Sequence, residues 1–114
     1  VTALRQAGDA GAVRFTDAAG TSILAALATD EARLVAESRL APLRDHSVGG
    51  TNLEETLRVW LAHDARAEQA AAALGIHRHT LRSRIAQASA LLGIDLSSFP
   101  ARAELWALLS TARD

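Results

Sequence analysis

The 114-residue sequence has no cysteine, no tyrosine and no methionine, and every basic residue in it is an arginine. Without cysteine there is no disulfide, no thiolate zinc site and no sulfur nucleophile, which suits a reducing cytoplasm. Without methionine there is no initiator, and a chain opening at Val1 reads as a piece of a longer protein. Any small-molecule effector is then expected to bind outside this piece. Aromatic residues make up only 4% against 49% apolar overall, so the core has to be built from Leu, Ile, Val and Ala. A chain this rich in alanine, the strongest helix former, leans to an all-α fold. No apolar run approaches the roughly 18 residues of a spanning helix, and no signal-peptide pattern opens the chain. A membrane partner is therefore not expected, and a cytoplasmic location is.

The net charge of −1 offers no bulk attraction to nucleic acid, but its distribution is uneven. No acid stands between Glu68 and Asp95, while Arg78, Arg82 and Arg84 lie close together in that interval. Arginine suits bidentate contact with phosphate or guanine, although an all-arginine set equally reflects a GC-rich genome. The same interval carries the most informative pattern, Ala71-x-x-Leu74-Gly75-Ile76-x4-Leu81-x3-Ile85. It reads as two short helices joined at Gly75, the arrangement of a DNA-reading helix-turn-helix. Ala71 is small enough to let the second helix cross close above the first. Gly75 stands where the chain must turn and where positive φ costs least. Ile76, Leu81 and Ile85 pin the second helix, leaving His79, Arg82 and Ser83 on its free face with Arg78 near the edge.

Along the rest of the chain, Ala12 to Thr16 alternates like a short strand, closed by Asp17 to Gly20. A lone strand forms no sheet, so residues 1–45 are read as the tail of an upstream α+β domain with linker helices. Thr21 and Ser22 are expected to cap a helix from Ile23 to Ala28. Asp30 should cap another, running to about Leu40 before Pro42 and carrying Leu34 and Leu40. Residues 46–114 are read as the second unit. His46 to Gly50 forms a loop, and Thr51 with Glu54 has the spacing of a capping box. The helix after it carries Leu53, Leu57, Trp60 and Leu61 and stops near His63 and Asp64. Helices then cover about Ala67–Leu74 and Arg78–Leu92, the latter with Leu81, Ile85, Ala88 and Leu92 on its buried stripe. Gly93 ends it, and Pro100 opens a last helix bearing Leu105, Leu108 and Leu109.

From about Leu40 to Leu109 the sequence resembles the C-terminal DNA-binding domain of PucR-type (purine-catabolism regulator, CdaR-like) bacterial transcription regulators. The resemblance rests on an ordered set: Leu40-Ala-Pro-Leu43; Leu53, Thr56, Leu57, Trp60 and Leu61; the Ala71–Ile85 motif; Leu91 to Leu96; and Pro100, Arg102 and Leu105. His79 and Ser83 stand where that family often has Asn and Tyr. The resemblance implies a Fis-like helix-turn-helix with an extra C-terminal helix, binding double-stranded DNA as the output end of a regulator. Its recognition helix, about Arg78–Leu92, would enter the major groove by its Arg78–Ser83 turn. One such helix reads few base pairs, so a homodimer is expected in the full-length protein.

The candidate DNA-binding residues are His77, Arg78, His79, Thr80, Arg82 and Ser83. Arg78 is the candidate for a base contact, with a salt bridge as the rival assignment. Thr80 either donates to phosphate or satisfies its own backbone. Arg82 is expected to grip phosphate, and Arg84 to be partly structural. His77 either caps the helix or reaches the DNA edge. His77 and His79, two apart on a helix, are expected to point away from each other, and no third ligand lies near, so no metal is expected. Trp60 is expected in the core, and Trp106 in the core or at a dimer contact. No cofactor is implied, and no nucleophile-elbow glycine pattern frames a serine, so an enzyme is not expected. The rivals are a helical dimerisation or protein-interaction module that does not bind DNA, and an architectural DNA-binding protein of Fis type.

Overall fold

The computed structural model describes residues 23–45 and 52–112. These fold into helices α1 (Ile23–Ala26), α2 (Asp30–Asp45), α3 (Leu53–Ala62), α4 (Ala67–Leu74), α5 (Arg78–Leu92) and α6 (Phe99–Ala112). No strand occurs among the described residues, in keeping with the all-α, helix-turn-helix reading. The strand expected over Ala12 to Thr16, the caps at Thr21, Ser22 and Thr51, and the loop from His46 to Gly50 lie outside the described residues.

Both ends of α2 differ from expectation, and α1 stops at Ala26, short of the expected Ala28. Thr29, not Asp30, caps α2: its Oγ1 accepts the Ala32 amide at 3.1 Å and its carbonyl accepts the Arg33 amide at 2.9 Å. Asp30 sits in the first turn beside Glu31, where negative charge suits the helix dipole, and pairs with Arg33 at 3.0 Å. Nor does α2 stop before Pro42; it runs on to Asp45. A proline inside a helix costs about 3 kcal/mol through its missing amide and its ring. Opposing that cost, Leu40 and Leu43 on either side of it are fully buried. Leu34, expected on the apolar side of this helix, is 71% exposed, and Ala36 is buried instead.

At the start of α3 the cap is Asn52, whose Oδ1 accepts the Glu55 amide at 2.9 Å. Glu54, whose expected partner Thr51 lies outside the described residues, is engaged by two arginines. Its carboxylate takes Nε and Nη2 of Arg44 at 2.8 and 3.2 Å, and Arg58 at 3.1 Å. Arg44 also pairs with Glu37, and Arg58 donates to the Leu109 carbonyl at 3.0 Å, so this cluster ties α2, α3 and α6 together. The hydrogen bonds from Arg44 hold the Glu54 carboxyl below its ordinary value of 4.5. A carboxyl depressed in the fold stabilises it above the unfolded pKa, and that contribution is lost as pH falls through the lower folded value. Glu54→Gln should thus cost about 1–2 kcal/mol at neutral pH, the range for charge-assisted hydrogen bonds at a partly open site. The variant should also lose less stability than the parent on acidification. Urea melts at neutral and acid pH check both; parallel pH profiles would show that Glu54 is not the group responsible.

The helix-turn-helix is built on α3, α4 and α5. Between α3 and α4 the chain turns with Asp64 and Ala65 both at φ 60°, a conformation sequence reading missed because no glycine marks it. The Ala65 amide donates to the Trp60 carbonyl at 2.8 Å, closing α3. Between α4 and α5, Gly75 adopts φ 70° and ψ 33°, and the Ile76 amide reaches back to the Ala71 carbonyl at 3.0 Å. A Cβ at Gly75 would meet nothing within 4 Å, so the left-handed backbone, not crowding, makes glycine the favoured residue.

The core is leucine-rich, with Leu40, Leu43, Leu53, Leu57, Leu81, Leu105 and Leu109 fully buried. Helix α5 packs on α3 and α4 and also on α2, while α2 lies against α6. Ala36, Leu40 and Leu43 thereby share one buried cluster with Leu53, Leu81 and Leu105, so residues on both sides of position 46 contribute to a common core.

Candidate nucleic-acid interface

The first two turns of α5 carry the side chains on which the sequence reading converges, and packing decides which way they face. Leu81 and Ala88 are buried, Ile85 packs against the cluster, and Ala71 is almost fully enclosed beneath. Leu74 and Ile76 also pack against the core from either side of the turn. With that stripe turned inward, the helical period directs His79, Thr80, Arg82 and Ser83 to solvent, and all four are exposed.

His77 is the N-cap of α5. Its backbone is extended (φ −74°, ψ 148°) and its Nδ1 accepts the His79 amide at 3.0 Å. Accepting that bond requires an unprotonated Nδ1. The expectation that His77 and His79 point apart is overturned. Their rings stack with centroids 5.2 Å apart and planes 14° from parallel, because His77 precedes the helix and lacks its geometry. Among the described residues no group of three or more His, Asp or Glu side chains is placed to hold a metal ion.

The arginines divide by their partners. Arg78 Nη1 lies 2.7 Å from Glu68 Oε2, an ion pair that reaches back to the first turn of α4, with side chains 49% and 67% exposed. The salt bridge weighed as the rival assignment for Arg78 is therefore present. Arg82 is exposed and its side chain makes no hydrogen bond or ion pair with another described residue, and the same holds for the side chains of Thr80 and Ser83. The self-capping bond considered for Thr80 is thus not formed; His77 occupies that role. Arg84 is half-buried beside the apolar stripe. Arg66, at the N-cap position of α4, is exposed and makes no side-chain capping bond.

Glu68 and Arg66 were not singled out by sequence reasoning. Glu68 stands ten positions before Arg78, outside the three- and four-residue spacings that signal contact on one helix. Only the reversal at Gly75 brings the two together. The available signal was Glu68's own position, the last acid before a long acid-free interval that holds three arginines.

Set beside known proteins, residues 53–111, just over half of the chain, match the sequence model of the family described as the PucR C-terminal helix-turn-helix domain. An uncharacterised protein from the pkwA 5′ region of Thermomonospora curvata is 43% identical over 88 residues, 77% of this chain and 49% of that protein. The transcriptional activator PmfR of Paenarthrobacter nicotinovorans is 34% identical over 93 residues, 81% of this chain and 20% of its own length. The proline-responsive transcriptional activator PutR of Bacillus subtilis is 39% identical over 56 residues, 49% of this chain and 14% of that protein. The chain thus spans half or less of each of these relatives. No solved structure matches it.

Proposed function

The chain belongs to the family of PucR C-terminal helix-turn-helix domains, and from that membership we propose that it is the sequence-specific DNA-binding output domain of a bacterial transcription regulator. One observation carries the reading. The outer face of α5 presents Arg82, Thr80 and Ser83 without partners among the described residues, on a helix held from behind by Leu81 and Ala88. Polar side chains held ready on a rigid helix suit a ligand made of phosphates and base edges. The first two turns of α5 enter the major groove, with Arg78 and His79 at the bases. Arg82 and the exposed Arg66 neutralise phosphates, and α4 crosses the backbone. The transcriptional activators among the relatives support a transcriptional output. Because one helix reads few base pairs, the working unit is two copies within the longer protein, whose effector, if it has one, binds elsewhere.

Arg82→Ala tests the phosphate contact. It should weaken binding to all duplexes alike and lower the slope of log K against log salt by about one. Fluorescence anisotropy with two unrelated duplexes at several salt concentrations reads both quantities. A loss confined to one sequence would instead place Arg82 at a base.

A further inference from the structure

The Glu68–Arg78 pair sets a carboxylate against the one arginine that opens the recognition helix, on the face proposed for DNA. We infer that Glu68 is a specificity-determining residue: it holds the Arg78 guanidinium for a base edge and keeps it from gripping any nearby phosphate. This inference rests on the DNA-binding reading above and adds to it a residue outside the recognition helix.

The geometry supports it in three ways. First, the contact uses Nη1 of Arg78, 2.7 Å from Glu68 Oε2, and a guanidinium has five donors in a fixed plane. The remaining donors stay available for the two acceptors of a guanine edge, which end-on bidentate contact requires. Second, the anchor is on a separate helix, held in place by Ala70 and Ala71, both buried, so the pair biases a long side chain toward one direction. Biasing it lowers part of the rotamer entropy lost when a base is bound. Third, the charges differ around α5. Arg82 and Arg66 have no carboxylate partner among the described residues and serve as unselective phosphate contacts, whereas Arg78 is neutralised by Glu68. An arginine already neutralised gains little from phosphate, and Glu68 itself repels the backbone, so binding that does not also satisfy the base edge is disfavoured.

The test compares the parent chain with Glu68→Gln, Glu68→Asp, Arg78→Ala and the Glu68→Gln/Arg78→Ala double variant. Each is selected on a duplex library with a randomised centre, and each is titrated against an unselected duplex at low salt. The parent should enrich guanine at one position per bound helix. Glu68→Gln should flatten that preference by about three- to tenfold, a share of what a bidentate contact discriminates. It should also bind the unselected duplex about two- to fourfold more tightly, having one negative charge fewer near the phosphates. Glu68→Asp keeps the charge but is one methylene shorter, so it should lose the base preference without the gain on unselected DNA. In the Arg78→Ala background, Glu68→Gln should change base preference no further. A Glu68→Gln variant with the parent's base preference overturns the inference, as does an equal flattening without Arg78. A parent that binds no duplex, either alone or as a forced dimer, overturns the DNA-binding reading itself, which separates the two failures.

Discussion

Leu81→Ala is expected to lower the stability of this chain by about 2–5 kcal/mol, the range for truncating a fully buried leucine. Leu81 is wholly enclosed and α5 packs against α2, α3 and α4, so the cavity opens where several helices meet. A small domain has only about 5–15 kcal/mol in total, which makes this a large fraction of it. The DNA contacts should suffer too, because Leu81 fixes the rotation of α5 and with it the direction of Arg78 and Arg82. Chemical denaturation measures the first effect, and anisotropy under conditions where the variant remains folded measures the second. A midpoint like the parent's would mean that α5 is held by something other than this side chain.

Arg78→Ala should separate binding from stability in the opposite way. Its guanidinium is half exposed and its ion pair with Glu68 is a surface pair, worth about 0–1 kcal/mol, so the melt should barely move. Affinity for a selected duplex should fall by about 1–3 kcal/mol, and preference at one base position should relax. Removal of the arginine also leaves Glu68 facing the DNA without its counter-charge, which pushes the loss toward the upper end of that range. Unchanged preference across a selected pool would remove Arg78 from the base-reading set and leave it as a structural partner of Glu68.

The parts of this fold that sequence reading located share a cause: they are decided within a few residues. The left-handed turn at Gly75 follows from the end of an alanine-rich helix meeting a residue without a Cβ. The buried stripe of Leu81 and Ala88, and that of Leu105, Leu108 and Leu109, follows from the 3.6-residue period. The misses are decided between elements. Pro42 signals a helix end only until the burial of Leu40 and Leu43 outweighs it, and that burial depends on helices far along the chain. Arg44 and Arg58 claim the Glu54 carboxylate from two sides, and no spacing within one helix announces the contact with Arg44. The stacking of His77 on His79 is a local exception: the helix begins at Arg78, so His77 stands outside the helical period on which the expectation of divergent rings rests. Of the interface, the composition of the α5 face was legible, while the pairing of Arg78 with Glu68 was not, since it forms across the turn.

Exposed apolar side chains on the α1 and α6 side, Ile23, Leu27, Phe99 and Trp106 among them, present a second surface of different chemistry. A module built for protein contact would use that side, whereas a DNA reader uses the α5 face. Titration of the isotope-labelled chain with duplex DNA, followed by amide chemical shifts, tells the two apart directly. The account predicts that the largest shifts fall on residues 77–84 and at Arg66, with Phe99 and Trp106 nearly unmoved. Shifts centred on Phe99 and Trp106, or none at saturating duplex, would contradict it.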